Sequence, residues 1–191
     1  MATDTKNSLL ESAERAARAR GFDGFSYADL AKEVGIRKAS IHHHFPSKAA
    51  LSVALMKRYY SNIESVCSNI DATEATAAKK LTRLIDQYRA ALSGGKSLCL
   101  CVSFSTSRES LPPEVIEQIS RFRAMMIGWL ERVFKTGQTD GSIKGISTPS
   151  MEAAATLPLL EGAQLAARAE ENPELFERSL GLLSLRIAKP F

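Results

Sequence analysis

The sequence predicts an all-α protein of about nine helices. Along almost the whole chain of 191 residues, apolar side chains recur three or four positions apart, which is the spacing of one helical face. No segment alternates apolar and polar residues in the way that a half-buried β-strand requires. Glycine and proline separate the periodic segments, and they mark helix ends at Gly35, Gly94-Gly95 and Pro112-Pro113.

Two short helices near the N-terminus are predicted from local signals. Ser26, with Asp29 three residues later, has the spacing of a capping box and predicts a helix over 27–34. Gly35 then permits a tight turn, and a further helix follows over 38–44. Two short helices joined in this way form a helix-turn-helix, whose second helix enters the major groove when the motif binds DNA.

The other predicted helices are separated by clear breaks in the apolar pattern. The first of them precedes Gly21, and its apolar face includes Leu9 and Ala13. We predict the remaining six over 48–69, over 73–92, from a Ser97 cap through 99–107, from Pro113 to near Gly137, after Pro149 and after Pro173.

Positive charge is concentrated in the first third of the chain. The formal net charge is +4, and residues 1–60 hold 10 Lys and Arg against 6 Asp and Glu, so the rest of the chain is balanced. Lysine and arginine side chains displace counterions from phosphate backbones, which favours binding to nucleic acid. The charge distribution therefore predicts a polyanionic partner for the N-terminal third.

The stretch GFDGFSYADLAKEVGIRKASIHHHFPSKAAL resembles the DNA-binding domain of the TetR family of transcriptional regulators. The resemblance spans residues 7–55. It rests on the Gly-Phe turn, the Leu-Ala pair, the Gly-Ile turn and the closing Phe-x-Ser-Lys. It implies a DNA-binding domain over residues 1–50 and a helical ligand-binding and dimerisation domain over residues 51–191. It also implies a homodimer whose partner is double-stranded operator DNA.

The resemblance assigns roles to matching positions in and around the helix-turn-helix. Some residues are expected to contact phosphate, partly because the amides at a helix N-terminus attract anions, and others to face the bases. Arg37 stands where the family often has a capping serine, and His42-His43 replaces a Tyr-Tyr or Tyr-His pair. The predicted DNA-binding residues are Ser26, Tyr27, Arg37, Lys38, Ala39, Ser40, His42, His43 and Lys48.

Cys99 and Cys101 are candidate sensors. A Ser97 cap would place Cys99 in the first turn of a helix, with Lys96 close in sequence, and both features favour the reactive thiolate. The Cys-Leu-Cys segment resembles a subgroup of TetR-like regulators, some of which sense electrophiles or oxidants. The alternative is that both cysteines are small core residues. With Cys67 the chain has three cysteines, and an odd number argues against a disulfide scaffold.

Aromatic and methionine side chains of the middle helices are candidates to line an effector pocket. The alternative is that they are ordinary core residues, because such side chains at helical spacing usually are. The candidates are Tyr88, Phe104, Phe122, Met126 and Trp129.

The last two predicted helices carry the expected dimer interface. Small residues of the eighth helix allow close approach of a second helix, and the ninth helix has a regular apolar stripe. Alternatively, the stripes complete the core of a single chain. The predicted interface residues are Ala155, Gly162, Ala166, Phe176, Leu180, Leu183 and Ile187.

Other features exclude several classes of protein. No apolar run reaches the roughly 18 residues of a membrane helix, and the N-terminus does not resemble a signal peptide, so we expect a cytoplasmic protein. Successive helical residues point about 100° apart, so His42, His43 and His44 do not form a joint metal site. We predict no metal and no cofactor.

The sequence thus predicts a TetR-like repressor, which a small-molecule effector or cysteine modification releases from DNA, and not an enzyme. An activator of the same family is one alternative. A thiol-dependent enzyme with Cys99 as its nucleophile is another, but it would need a nearby base, and all three histidines lie in the helix-turn-helix.

Overall fold

The computed structural model of the protein describes residues 2–187 and is all-α, as the sequence predicts. Within that range there are ten α-helices, one 3₁₀ turn at Arg108–Ser110 and no β-strand. The helices are α1 (Ala2–Arg20), α2 (Tyr27–Val34), α3 (Lys38–His44), α4 (Lys48–Thr73), α5 (Ala77–Ala91), α6 (Leu100–Ser105), α7 (Pro113–Asp140), α8 (Pro149–Ala169), α9 (Glu174–Ser179) and α10 (Gly181–Arg186).

The prediction that α7 ends near Gly137 is wrong. Gly137 is buried, and a Cβ atom there would lie 3.0 Å from the Cδ1 atom of Ile143. The glycine therefore makes room for a packing contact instead of ending the helix. The helix ends three residues later, where Gly141 adopts a positive φ of 69° and its amide bonds to the carbonyl of Gly137 at 3.1 Å.

The ninth predicted helix is two short helices. The break lies at Leu180, whose amide donates to the carbonyls of both Phe176 and Glu177 at 3.2 Å. Sharing one amide between two carbonyls tightens the last turn of α9, and Gly181 then begins α10. The apolar spacing continues across the break, which is why the pattern predicts one helix.

The first compact unit consists of the residues up to Ser61 together with Leu100–Phe122. Within it, α1 packs against α2 and α6, and α2 packs against α3. Ser103 of α6 donates a hydrogen bond to the carbonyl of Ala17 in α1 at 2.6 Å. The fully buried residues of its three N-terminal helices include Leu9, Ala13, Ala17, Leu30 and Ile41.

The second compact unit consists of Asn62–Cys99 together with the residues from Arg123 onward. In this unit α8 packs against both α5 and α9. Trp129 of α7 is 2% exposed, and its indole nitrogen donates to the Asp71 carboxylate of α4 at 3.0 Å. A buried indole thus keeps its one polar atom satisfied while the ring fills the core. Among the described helices, none combines the length and the hydropathy that spanning a lipid bilayer requires.

The predicted dimer stripe of the last helices is partly wrong. Phe176, Leu180 and Leu183 are 0%, 1% and 5% exposed in a single chain, so they belong to that chain's own core. Ile187 is half-buried and pairs with Ile143 in an isolated antiparallel bridge. Here the alternative interpretation holds, because periodicity identifies a buried face without identifying what covers it.

The small residues of α8 lie where the prediction needs them. Ala155 and Gly162 are exposed, and Ala166 is half-buried. Large apolar side chains are exposed on the same helix and on α10. They are Met151, Leu159, Leu165, Leu182 and Leu185. The interface prediction for the small residues stays open to test.

Glu161 of α8 has a buried carboxyl group whose effect on the stability of the fold depends on pH. It is 7% exposed, its Oε2 accepts a hydrogen bond from Arg123, and its Oε1 has no hydrogen-bond partner among the described residues. Burial raises its pKa despite the arginine. Folding raises the pKa of such a carboxyl group above the value of about 4.3 that it has in the unfolded chain. The group therefore destabilises the fold increasingly as the pH rises above about 4.3.

We therefore expect Glu161→Gln to be more stable than the wild type at neutral pH, by a margin that shrinks as the pH falls toward 4. Urea unfolding across this range measures the margin. Glu152→Gln on the same helix is the matched control, because Arg186 lowers the pKa of Glu152 and the sign reverses. A Glu161→Gln margin that does not change with pH would contradict the assignment.

Candidate DNA-binding site

The N-terminus of α2 is fixed by the capping box that the sequence predicts. The amide of Asp29 donates to the Ser26 hydroxyl oxygen at 3.3 Å, and the amide of Ser26 donates to the Asp29 carboxylate at 2.8 Å. The Ser26 hydroxyl also donates to that carboxylate at 2.7 Å, and these bonds lower the pKa of Asp29. Ser26 and Asp29 are exposed, so the helix end faces solvent with its geometry already set.

The turn between α2 and α3 depends on Gly35. Its φ is +74°, and both its amide and that of Ile36 donate to the carbonyl of Ala31 at 3.0 Å. A residue with a Cβ atom is disfavoured in this left-handed conformation, which explains the glycine. Arg37 precedes α3 with an extended backbone and makes no side-chain cap, so its exposed guanidinium group is not used to start the helix.

The exposed face of α3 contains most of the predicted contact residues. Lys38, Ala39, His42 and His43 are exposed, and Ser40 is half-buried. The opposite face holds the helix in place through Ile41, which is fully buried, and through Phe45 just beyond the helix. This division of α3 into a buried and an exposed face is what a recognition helix needs.

A shallow pocket of about 270 Å³ brings five of the predicted residues together at the start of α2. Two cationic side chains, a helix N-terminus and an imidazole ring share it, which is a suitable environment for a phosphate group. It is lined by Phe25, Ser26, Tyr27, Lys38, His42 and Lys48. The predicted residues Arg37, Ala39, Ser40 and His43 lie outside this lining.

Tyr27 does not offer its hydroxyl group to a ligand. The residue is 7% exposed, and its hydroxyl donates to the carbonyl of Phe45 at 2.9 Å. Burial raises the pKa of Tyr27 to about 12. The ring packs edge-on against His42, with centroids 4.9 Å apart. Any phosphate contact by Tyr27 therefore involves its backbone amide, and the side chain positions α3 and His42.

Lys48 has a more elaborate setting than the sequence predicts. Its ammonium group donates to the carbonyl of Phe25 at 2.7 Å and lies 4.7 Å from the ring centroid of Phe22 and 4.5 Å from that of Phe25. Desolvation lowers the pKa of Lys48, and the carboxylates of Asp23 and Asp29 partly oppose this. Sequence reasoning missed the two aromatic residues, although both flank the Gly24 turn.

The predicted environment of Cys99 is wrong. α6 begins at Leu100, so Cys99 precedes the helix instead of lying in its first turn, and it is 2% exposed. Its amide donates to the side-chain oxygen of Gln164 at 2.8 Å, and the Gln164 nitrogen donates to the carbonyl of Tyr88 at 2.9 Å. Gln164 is itself fully buried. The link between Cys99 and α8 has no signal in the local sequence.

The other two cysteines are also buried. Cys101 is fully buried within α6, and Cys67 is 3% exposed in α4. Burial, with Asp71 nearby, raises the pKa of the Cys67 thiol to about 12, so its thiolate is strongly disfavoured at neutral pH. None of the three cysteines forms a disulfide bond with another described residue.

The predicted effector-pocket residues are core residues in their own units. In the first unit Phe104 packs against Phe22 with centroids 5.8 Å apart, and Phe122 packs against Tyr59 at 5.2 Å. The predicted residues of the second unit are equally buried: Tyr88 7%, Met126 0% and Trp129 2% exposed. Their role in ligand binding stays a prediction.

The histidine rings of α3 lie against other aromatic rings. His43 and His44 lie edge to face with ring centroids 5.6 Å apart, whereas His42 lies against Tyr27. Among the described residues no group of three or more His, Cys, Asp or Glu side chains could hold a metal ion.

Comparison with known proteins agrees with this geometry. Residues 9–55 match the family described as bacterial regulatory proteins, tetR family. The chain is 25% identical to the HTH-type transcriptional repressor NemR of Escherichia coli K12, over 98% of this chain and 96% of NemR.

Two solved structures resemble the whole chain. A TetR-family transcriptional regulator from Agrobacterium tumefaciens is 26% identical, with a TM-score of 0.93 over 99% of this chain and all of that one. The reduced form of Escherichia coli NemR is 25% identical, with a TM-score of 0.82 over 98% of both chains.

Proposed function

We propose that this chain is a TetR-family transcriptional regulator, a homodimeric repressor that a small molecule or cysteine modification releases from its operator. The observation that carries the DNA-binding part is the pocket at the start of α2, where Lys38 and Lys48 adjoin a capped helix end. Residues 1–50 bind DNA in this proposal, and residues 51–191 dimerise and receive the signal. The protein acts in the cytoplasm.

The predicted residues divide into two kinds of contact. Lys48, His42 and the amides at Ser26 and Tyr27 bind phosphates, since these groups surround the pocket. Four residues face the base edges of the major groove. Lys38, which also borders the pocket, and Ala39 do so from the exposed side of α3, and they are joined by Arg37 just before the helix and by the half-buried Ser40. His43 is exposed next to them and adds a contact with the DNA backbone.

We infer a dimer because a single recognition helix makes too few base contacts for specific binding. One helix of seven residues makes few base contacts, whereas two copies on a two-fold axis read two half-sites at fixed spacing. The exposed face of α8, with Ala155, Gly162 and Leu165, supplies a surface on which two copies can pack closely. The relatives in the same family are described as transcriptional repressors or regulators.

An electrophoretic shift assay with DNA from upstream of the protein's own gene tests the proposal. We expect a discrete complex at low salt that weakens steeply as salt is raised, because phosphate contacts release counterions. A folded dimer that binds no such DNA at low salt would overturn the proposal. A reporter fused to the bound region then distinguishes repression from activation, since deletion of the gene raises expression only for a repressor.

A further inference from the structure

We propose that Phe22 is a positioning residue that couples α6 to the ammonium group of Lys48, so that a displacement of α6 weakens DNA binding through this side chain. The proposal rests on the proposed function, in which Lys48 contacts a phosphate. All of the residues involved lie in the first compact unit.

The ammonium group of Lys48 is held in place by three neighbours. The ring centroids of Phe22 and Phe25 lie 4.7 Å and 4.5 Å from Nζ, and the carbonyl of Phe25 accepts its hydrogen bond at 2.7 Å. A cation is attracted to the negative face of an aromatic ring. The two rings and the carbonyl therefore determine where the remaining N–H groups of Lys48 point toward the pocket.

Phe22 contacts α6 as well as Lys48. Its ring packs edge to face against Phe104, with centroids 5.8 Å apart and ring planes at 82°. Phe104 is fully buried and Phe22 is 7% exposed. Close-packed side chains transmit displacement, because interiors contain few voids that could absorb it. A shift of Phe104 therefore moves the ring on which the ammonium group rests.

The backbone next to Phe22 is attached to α6 by two further contacts. The Ser103 hydroxyl donates to the carbonyl of Ala17 at 2.6 Å. Gly21 has a φ of +78°, and a Cβ atom there would lie 3.4 Å from the Ser107 hydroxyl oxygen. The end of α1 and the following turn thus lie directly against α6 and the residues that follow it. A movement of α6 displaces this turn together with the Phe22 ring.

Cys101 lies one helical turn before Phe104 in α6 and is fully buried. Residues three apart on a helix are neighbours on its surface. A group attached to the Cys101 sulfur, or any ligand that shifts α6, would therefore displace Phe104. This gives the regulatory signal a physical route to the phosphate contact.

A double-mutant cycle on the full-length dimer tests the coupling, with a duplex from upstream of its own gene as the probe. Lys48→Met is expected to weaken binding about tenfold and to make the salt dependence shallower by about one counterion per protomer. Phe104→Leu is expected to weaken binding about threefold and also to reduce the salt dependence. In the double variant Phe104→Leu adds no further loss, because the ammonium group through which it acts is gone.

Phe122→Leu is the matched control, since Phe122 is 1% exposed and packs against Tyr59 in the same unit. It removes a comparable aromatic contact, so its thermal unfolding shift resembles that of Phe104→Leu, but its salt dependence is expected to equal the wild type's. Should Phe104→Leu fail to fold, Phe22→Leu takes its place in the cycle, with Phe22→Tyr expected to restore binding.

The possible outcomes separate the two proposals. If Lys48→Met leaves affinity and salt dependence unchanged, the phosphate contact is wrong, and with it the coupling. If Lys48→Met weakens binding but the Phe104→Leu loss is fully additive, the coupling through Phe22 is wrong while the DNA-binding function stands. The coupling is supported if the losses of affinity from Phe104→Leu and Phe22→Leu are non-additive with that from Lys48→Met, while the effect of Phe122→Leu is additive.

Discussion

Replacing Gly162 with arginine is expected to convert the protein to a monomer that binds operator DNA about a thousandfold more weakly. Gly162 is exposed on α8, and a Cβ atom there would meet no described residue within 4 Å, so we expect the substitution to leave the monomer's own packing intact. In a dimer the arginine would separate helices that small residues allow to approach. Linking two DNA-binding modules typically contributes 10²- to 10⁴-fold in affinity, about the amount lost here.

The choice of α8 follows from what is exposed on it. Met151 is 67% exposed and Leu165 40%, and on α10 Leu182 and Leu185 are 80% and 79% exposed. Large apolar side chains that are exposed close together on a helix often mark an interaction site. Gly162 lies between Leu159 and Leu165 on the exposed side of α8, so it is the position where a long charged side chain disrupts a helix pair most.

Ala124→Arg on α7 is the matched control, because Ala124 is an exposed small residue on a helix of the same compact unit. Analytical ultracentrifugation gives the oligomeric state and the shift assay gives the affinity. Thermal unfolding at low protein concentration compares the stability of the two variants. A Gly162→Arg protein that remains dimeric and binds DNA as the wild type does would show that the interface lies elsewhere.

Local signals were enough to predict the DNA-binding end of the molecule. The bounds of α2 and α3 agree with the sequence because each depends on neighbours in the chain: Ser26 and Asp29 cap one helix, and Gly35 turns between them. The absence of a side-chain cap at Arg37 is also as expected from its residue type. No long-range contact is needed to define these features.

The contacts that the sequence could not predict join residues far apart in the chain. The Tyr27 hydroxyl bonds to a carbonyl 18 residues away, and Lys48 to one 23 residues away. The Phe22–Phe104 and Cys99–Gln164 contacts depend wholly on how the helices pack. Residue type indicates that these side chains need partners, but only the tertiary structure selects them.

Modification of Cys99 by N-ethylmaleimide is expected to weaken DNA binding of the wild type about thirtyfold, whereas Cys99→Ser keeps its affinity within about twofold. Coupling between two sites of a protein is typically 5- to 150-fold. The thiolate adds to the maleimide double bond, forming a carbon–sulfur bond, and the adjacent carbon takes a proton from water. Because Cys99 is 2% exposed, the reaction requires local unfolding around the thiol. The labelled side chain is then too large for the space that the cysteine occupies.

The Cys99 backbone is linked to α8, the helix of the proposed dimer interface. Its amide donates to Gln164 at 2.8 Å, and displacing it leaves a fully buried side-chain oxygen on α8 without its hydrogen bond. An unsatisfied buried acceptor costs about 1–3 kcal/mol, so α8 is expected to adjust its packing. The exposed side of the same helix carries Gly162, so such an adjustment alters the proposed interface and the spacing of the two recognition helices.

Mass spectrometry of the labelled protein, run beside the shift assay, assigns the effect to a particular thiol. Cys67→Ser is the control for a cysteine outside the route, since burial raises the pKa of Cys67 to about 12, which slows its labelling. Cys101→Ser separates a signal through α6 from one through Gln164. Equal release of wild type and Cys99→Ser would refute the Cys99 route and leave DNA binding itself untouched. Release that Cys101→Ser alone resists would instead assign sensing to α6, which reaches Lys48 through Phe104 and Phe22.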